Sequence, residues 1–189
     1  MNQPRVSVFL GLSLDGYLAR DDHNLDWLHT TLTPTDTPQD TGYTSFIATV
    51  DTLVIGRNTY DTVLNFDAWP YQGKHVVVLT SRPAESRHGE TFFNGPLSTL
   101  LRELGEQGFR HVYLDGGIAV RQGLDEGLVD DLTLSWLPII LGSGRPLFHR
   151  GMSESRWSLT GSRVLENGLV QGQYQRADQS FYTPGGHSI

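Results

Sequence analysis

The chain has 189 residues, 38% of them apolar and 19% charged, with a formal net charge of −7. That composition suits one globular domain with a proper core and excludes a disordered chain. No stretch approaches the roughly 18 apolar residues of a membrane span, the acidic balance argues against a nucleic-acid or anionic-membrane binder, and the lack of cysteine removes disulfides, thiolate metal sites and a cysteine nucleophile.

Val6–Ser13 (VSVFLGLS) is short, β-branched and mostly apolar, the pattern of a buried strand. Asp15-Gly16 then turns the chain. The segment lacks the small-residue cleavage site of a signal peptide, so the expected location is cytoplasmic. Asp21–Gln39 is polar apart from the island Leu25-Asp26-Trp27-Leu28, and its length marks a loop that is functional, as a lid, or disordered. From Asp40 the pattern turns helical, with Tyr43, Phe46, Ile47 and Val50 forming one apolar stripe.

Thr52–Ile55 reads as a strand, Asn58–Leu64 as a short helix and His75–Thr80 as a fully buried strand. Leu97–Glu106 is a helix ended by Gly108, Val112–Asp115 a strand and Ile118–Leu128 a helix. Strand and helix alternate, which predicts an α/β domain with a largely parallel sheet. Leu132–Ile140 is a strand leading into the glycine-rich LGSGRPLF. Trp157–Leu165 and Leu169–Tyr174 flank Asn167-Gly168, a strong hairpin signal. We expect a single domain over residues 1–178 and a flexible tail over 179–189.

Chemistry-bearing residues gather where strands end. Gly56-Arg57-Asn58-Thr59 follows a strand and opens a helix: glycine admits a phosphate to the backbone, arginine offers a forked cation and threonine a hydroxyl. The same residues also suit a plain turn with Asn58 as helix cap. Thr80-Ser81-Arg82-Pro83 either holds the adenosine side of a dinucleotide or is a polar strand end stopped by proline. Asp115-Gly116-Gly117 either touches a pyrophosphate or is a turn that needs positive φ, and its spacing is not that of a Rossmann fingerprint. Three such turns in register point to a dinucleotide across one sheet edge. Asp15 and Asp40 are the candidate carboxylates, with helix capping the alternative role for Asp40. The seven histidines show no metal-ligand spacing, so no metal is expected, and no nucleophile elbow is present.

The ordered set SLDGYLA, GRNTY, VVVLTSR, LDGG and LPIILGSGRPLF resembles the dihydrofolate-reductase-like superfamily, closest to the reductase domain of the riboflavin-biosynthesis deaminase–reductase and its stand-alone relatives. The resemblance runs from Val6 to Arg176. It implies a three-layer fold with an eight-stranded, mostly parallel sheet, an antiparallel C-terminal hairpin and about four flanking helices, with NADPH as cofactor and a homodimer as the assembly. By matching motifs, Gly56, Arg57, Asn58 and Thr59 would hold the cofactor phosphates. Thr80, Ser81 and Arg82 would hold its 2′-phosphate end, and Gly116, Gly117, Ile118 and Ala119 its pyrophosphate. Leu12, Leu14, Asp15 and Gly16 would lie near the nicotinamide. Asp40, sixteen residues before Gly56, would be the catalytic acid, with Trp27, Tyr43 and Phe46 against the substrate.

The resemblance implies an NADPH-dependent reductase of a pterin, a pyrimidine such as a 5-amino-6-(5-phosphoribosylamino)uracil, or a related C=N or C=O compound. A true dihydrofolate reductase and a non-catalytic dimeric NADP-binding protein are the alternatives. The chain departs from these families in places. No arginine stands between Tyr60 and Gly73 to clamp a folate tail, Tyr17 follows the DG turn where a lysine is common, and there is no deaminase domain with its zinc ligands.

Overall fold

The computed structural model describes residues 3–30, 40–82 and 84–177. The chain-order elements are β1 (Arg5–Ser13), β2 (Tyr17–Ala19), α1 (Trp27–Thr30), α2 (Tyr43–Thr49), β3 (Thr52–Gly56), α3 (Arg57–Val63), β4 (His75–Leu79) and β5 (Thr91–Phe93). They continue with α4 (Leu97–Glu106), β6 (His111–Asp115), α5 (Gly117–Asp125), β7 (Asp131–Leu137), β8 (Arg145–Pro146), β9 (Trp157–Val164) and β10 (Val170–Arg176).

Eight strands form one sheet in the order β5-β4-β3-β6-β1-β7-β10-β9, while β2 and β8 pair separately. Every neighbouring pair from β5 through β7 is parallel. Strand β10 runs antiparallel to both β7 and β9. The three-layer dihydrofolate-reductase-like architecture inferred from the motifs is the one observed, with the one-turn α1 in addition to four flanking helices.

Strand periodicity explains the layers. Within β3, β4 and β6, Val54, Val77, Val112 and Leu114 point to one face and join a core with α4 and α5. The alternate residues Leu53, Ile55, Val76, Val78 and Tyr113 point to the other and join Tyr60 and Val63 of α3. Both faces are covered, which is why these strands read as unbroken apolar runs. Helix α4 docks through Leu97, Leu100, Leu101 and Leu104, all buried at helical spacing.

Three boundaries differ from expectation for identifiable reasons. Strand β7 ends at Leu137 because Pro138 has no N–H to give a strand that is paired on both sides. Helix α2 begins at Tyr43, not Asp40, because Gly42 adopts a left-handed conformation at φ 79°. The expected loop from Asp21 contains the helical turn α1, and Trp27 seals a third small core with Leu137 and Leu169. Residues 31–39 of that loop and the expected tail lie outside the described residues.

Candidate functional site

A cleft of about 660 Å3 runs across the carboxyl ends of β4, β3, β6 and β1, where an open α/β sheet presents its loops. It is lined by Gly56, Arg57, Asn58 and Thr59, by Thr80, Ser81 and Arg82, and by Gly116, Gly117, Ile118 and Ala119. The three strand-end turns singled out in the sequence thus converge on one cavity.

Their glycine, threonine and arginine residues pack closely together. Gly116 has φ 95°, and a Cβ there would overlap the Thr59 hydroxyl and approach the Gly56 N–H to 3.3 Å. Glycine is therefore required by both backbone and space. Arg57 begins α3; its Nε donates to Asp61 Oδ1 at 2.8 Å, while its Nη1 is buried without a partner. An orphaned guanidinium donor in a cleft is costly unless a ligand oxygen meets it. Arg82 approaches the other Asp61 oxygen at 3.8 Å, so one carboxylate holds both arginines on the same side.

The turn Arg87–Glu90, ahead of β5, is tied to α3. Glu90 is 3% exposed and accepts a hydrogen bond from the Tyr60 hydroxyl and others from the Arg87 and His88 N–H groups, both at 2.7 Å. Burial works against its charge, but these donors prevail and hold the carboxyl down at about 2.

The carboxylate that lines the cleft at the tip of a central strand is Asp115. Its Oδ1 accepts the Gly116 N–H at 2.8 Å and the Tyr71 hydroxyl lies 3.5 Å from Oδ2. Tyr113 lies beneath it, buried, with its hydroxyl donated to the Phe9 carbonyl. Burial pushes the Asp115 carboxyl up to about 6, against the pull of the Gly116 N–H and the two tyrosine hydroxyls. The sequence marks the Asp115-Gly116-Gly117 run as a pyrophosphate contact or a turn, with no role for its acid. The signal available was an acid at a strand tip directly before two glycines.

The structure does not bring all the sequence candidates together. Asp40 is exposed, and its Oδ1 accepts the Gly42 N–H at 2.7 Å. It lines a second cavity of about 540 Å3 with Phe9, Phe46, Arg163 and Gln171, apart from the cleft. Tyr43 packs edge-on against Phe9 and Tyr113, and Trp27 is fully buried in its own core cluster. None of Asp40, Trp27, Tyr43 and Phe46 lines the cleft. Among the four residues expected at the nicotinamide, Leu12 is core and Leu14 is exposed away from the cleft. Asp15 accepts from Ser13 and from the N–H groups of Leu141 and Gly142. The carbonyl of Gly16 accepts the Leu147 N–H. The first-strand residues that do line the cleft are Leu10 and Gly11, followed by Leu18 and Ala19 of β2. Among the described residues no cluster of potential metal ligands occurs, and no helix is long and apolar enough to cross a membrane.

Comparison with known proteins bears on this geometry. Residues 4–171 match the RibD C-terminal domain family. A putative riboflavin biosynthesis protein from Shewanella is 37% identical, covers 92% of this chain and 99% of its own, and superposes with a TM-score of 0.84. The diaminohydroxyphosphoribosylaminopyrimidine deaminase/5-amino-6-(5-phosphoribosylamino)uracil reductase of Thermotoga maritima is 14% identical with a TM-score of 0.69, over 93% of this chain and 57% of that one. Dihydrofolate reductase of Enterococcus faecalis, complexed with NADP(H), shares the fold at 15% identity, a TM-score of 0.65 and 93% and 98% coverage.

Proposed function

The chain belongs to the RibD C-terminal domain family, and from that premise we propose that it is an NADPH-dependent reductase of a small pyrimidine-type heterocycle. The observation that carries this reading is the union, in one cleft, of an anion cradle and an ionisable acid on the same strand tip. Gly116 supplies the cradle and Asp115 the acid.

The residues present fit NADPH. Arg57, with its unpartnered Nη1, and Arg82 would take the 2′-phosphate end. The Gly116-Gly117 turn would lie against the pyrophosphate, where any side chain at 116 would obstruct it. When bound, the cofactor supplies a hydride to an electron-poor carbon. The chain's own task is then to bind, to orient and to furnish the matching proton. Asp115 carries that proton as a neutral acid, donates it to the nitrogen or oxygen of the bond being reduced, and regains one from solvent. With burial raising its pKa to about 6, the protonated form is accessible near neutral pH. Leu10, Leu28 and Val63 wall the cleft with apolar surface and limit water.

Dihydrofolate reduction fits less well, since Asp40 stands outside the cleft and no arginine lies between Tyr60 and Gly73. Thermal unfolding with NADPH, NADH and no nucleotide tests the proposal, because a ligand that binds only the native state raises Tm. We expect a clear rise with NADPH and little with NADH. No rise with either removes the cofactor and the reductase with it.

A further inference from the structure

Four arginines line the cleft, and only two of them meet a counter-charge within the protein. Arg57 and Arg82 lie against one carboxylate, that of Asp61. Arg121 of α5 and Arg145 of β8 have none: among the described residues no carboxylate is ion-paired with either. The Arg121 Nη1 donates to the Pro146 carbonyl at 2.5 Å. The Arg145 Nε and Nη2 donate to the Asp21 carbonyl at 3.2 and 2.9 Å, while the Asp21 carboxylate accepts from the Ser143 hydroxyl.

A carbonyl orients a guanidinium but leaves its charge in place. Pro146 adjoins Arg145 in the chain, so the bond from Arg121 also brings the two like charges near one another. Burial, and then the Arg145 charge, pull the Arg121 guanidinium below its usual value, with Asp125 opposing them. The fold therefore holds two cations together at a cost that an anion between them would offset. Their elements also differ in origin. Helix α5 follows a strand of the main sheet, whereas β8 pairs only with β2 in a separate two-stranded ribbon. The Arg121 Nη1 stands 3.3 Å from where a Gly117 Cβ would lie, so this pair borders the glycine turn.

We propose that Arg121 and Arg145 form a second phosphate subsite of the cleft, which takes a phosphate ester between α5 and the β2–β8 ribbon. Each guanidinium keeps N–H groups beyond those given to the carbonyls, and its fork matches the oxygens of a phosphate. The ester has two possible sources. One is the cofactor's pyrophosphate, and the other is a phosphate on the substrate, as in the phosphoribosyl compound named for the Thermotoga enzyme. The identity of the ester rests on the reductase reading, and the site itself rests on the arginines.

The test is titration calorimetry on the wild-type protein and on Arg145→Gln. Arg145 is exposed, and a glutamine amide can still donate to the Asp21 carbonyl. NADP+ is compared with adenosine 2′-phosphate, which lacks the pyrophosphate. On protein saturated with NADP+, 5-amino-6-ribosylaminouracil 5′-phosphate is compared with its nucleoside. In one of these pairs the substitution should weaken the ligand bearing the extra phosphate at least about tenfold more than its counterpart. A selective loss for NADP+ assigns the subsite to the pyrophosphate, and a selective loss for the 5′-phosphate assigns it to the substrate. Equal losses within both pairs, or no loss in either, overturn the proposal. Wild-type binding of NADP+ reports separately on the reductase reading. Should the wild type bind no NADP+, inorganic pyrophosphate reads the site alone through the rise in Tm. A rise at least halved by the double substitution Arg121→Gln and Arg145→Gln supports the subsite, and an equal rise or none overturns it.

Discussion

Two carboxylates mark two contrasting regions. Asp115 stands at the tip of β6, ringed by Tyr71, Tyr113 and the Gly116 N–H, and burial lifts its pKa to about 6. Asp40 precedes α2 on the surface and spends its Oδ1 on the Gly42 N–H. The first is placed by a strand paired on both sides, and the second by a local turn. A sheet tip holds a charge where solvent cannot relax it, whereas an Asx-type turn leaves the charge in water. The acid to which we assign proton transfer is therefore the one whose position costs the fold something.

Replacing Asp115 offers the largest expected effect. Asp115→Asn should lower kcat by about 10²–10⁴ while leaving the NADPH affinity within a few-fold. The same change should stabilise the protein at alkaline pH. A carboxyl whose folded pKa is raised binds its proton more tightly when folded. Its destabilising effect is thus absent below the unfolded value of 3.8 and grows as pH rises to about 6. Above that window we expect a gain of up to about 2 kcal/mol, seen as a higher urea midpoint at pH 8 and none at pH 4. Undiminished turnover would remove Asp115 from the chemistry and erase the contrast.

Gly116→Ala should come next. The added Cβ meets Thr59 and forces a left-handed φ on alanine, so Thr59 must leave the cradle. We expect NADPH affinity to fall about 100-fold, with a stability loss of about 1–2 kcal/mol. Fluorescence titration of NADPH reads the first and urea unfolding the second. Unchanged affinity would mean that the cofactor does not touch this turn.

The sheet and the three strand-end turns that line the cleft were legible because they rest on local pattern. Val76–Leu79 and Val112–Leu114 announce buried strands, and glycine, arginine or hydroxyls after them announce turns. The rest depended on long-range placement. Tyr71 reaches Asp115 only after folding, and Tyr113, two residues before it on the same strand, reads in sequence as one more residue of an apolar run. Along β1, choosing Leu12 and Leu14 instead of Leu10 and Gly11 missed where the strand end faces the cleft. Strands β2, β5 and β8 are two or three residues long, too short to show a period. Trp27 looked like a lid residue because its polar neighbours hid its partners Leu137 and Leu169, more than a hundred residues away.

Glu90→Gln tests the tie between the Arg87–Glu90 turn and α3 and should have an intermediate effect. Its depressed pKa makes the charge stabilising above the unfolded value of 4.5, with that contribution lost as pH falls through about 2. Glutamine keeps the shape but forfeits the charge-assisted bonds to Tyr60, Arg87 and His88. We expect a loss of about 2 kcal/mol at pH 7 that disappears near pH 2. A loss that is equal at both pH values would trace to packing and not to the carboxylate.

Asp40→Asn should do least, and its smallness is the sharpest check on the contrast. Asparagine can accept the Gly42 N–H through its amide oxygen, so the turn before α2 survives. Stability should change by less than about 0.5 kcal/mol and kcat by less than about threefold. The spacing to Gly56 that suggested an acid at position 40 would then describe a shared backbone path without a shared proton donor. A drop in kcat of a hundredfold or more, with unchanged NADPH affinity, would return the catalytic role to Asp40. It would also mean that the region around Phe9, Phe46 and Arg163 closes onto the cleft during turnover, placing the exposed carboxylate where Asp115 is now assigned.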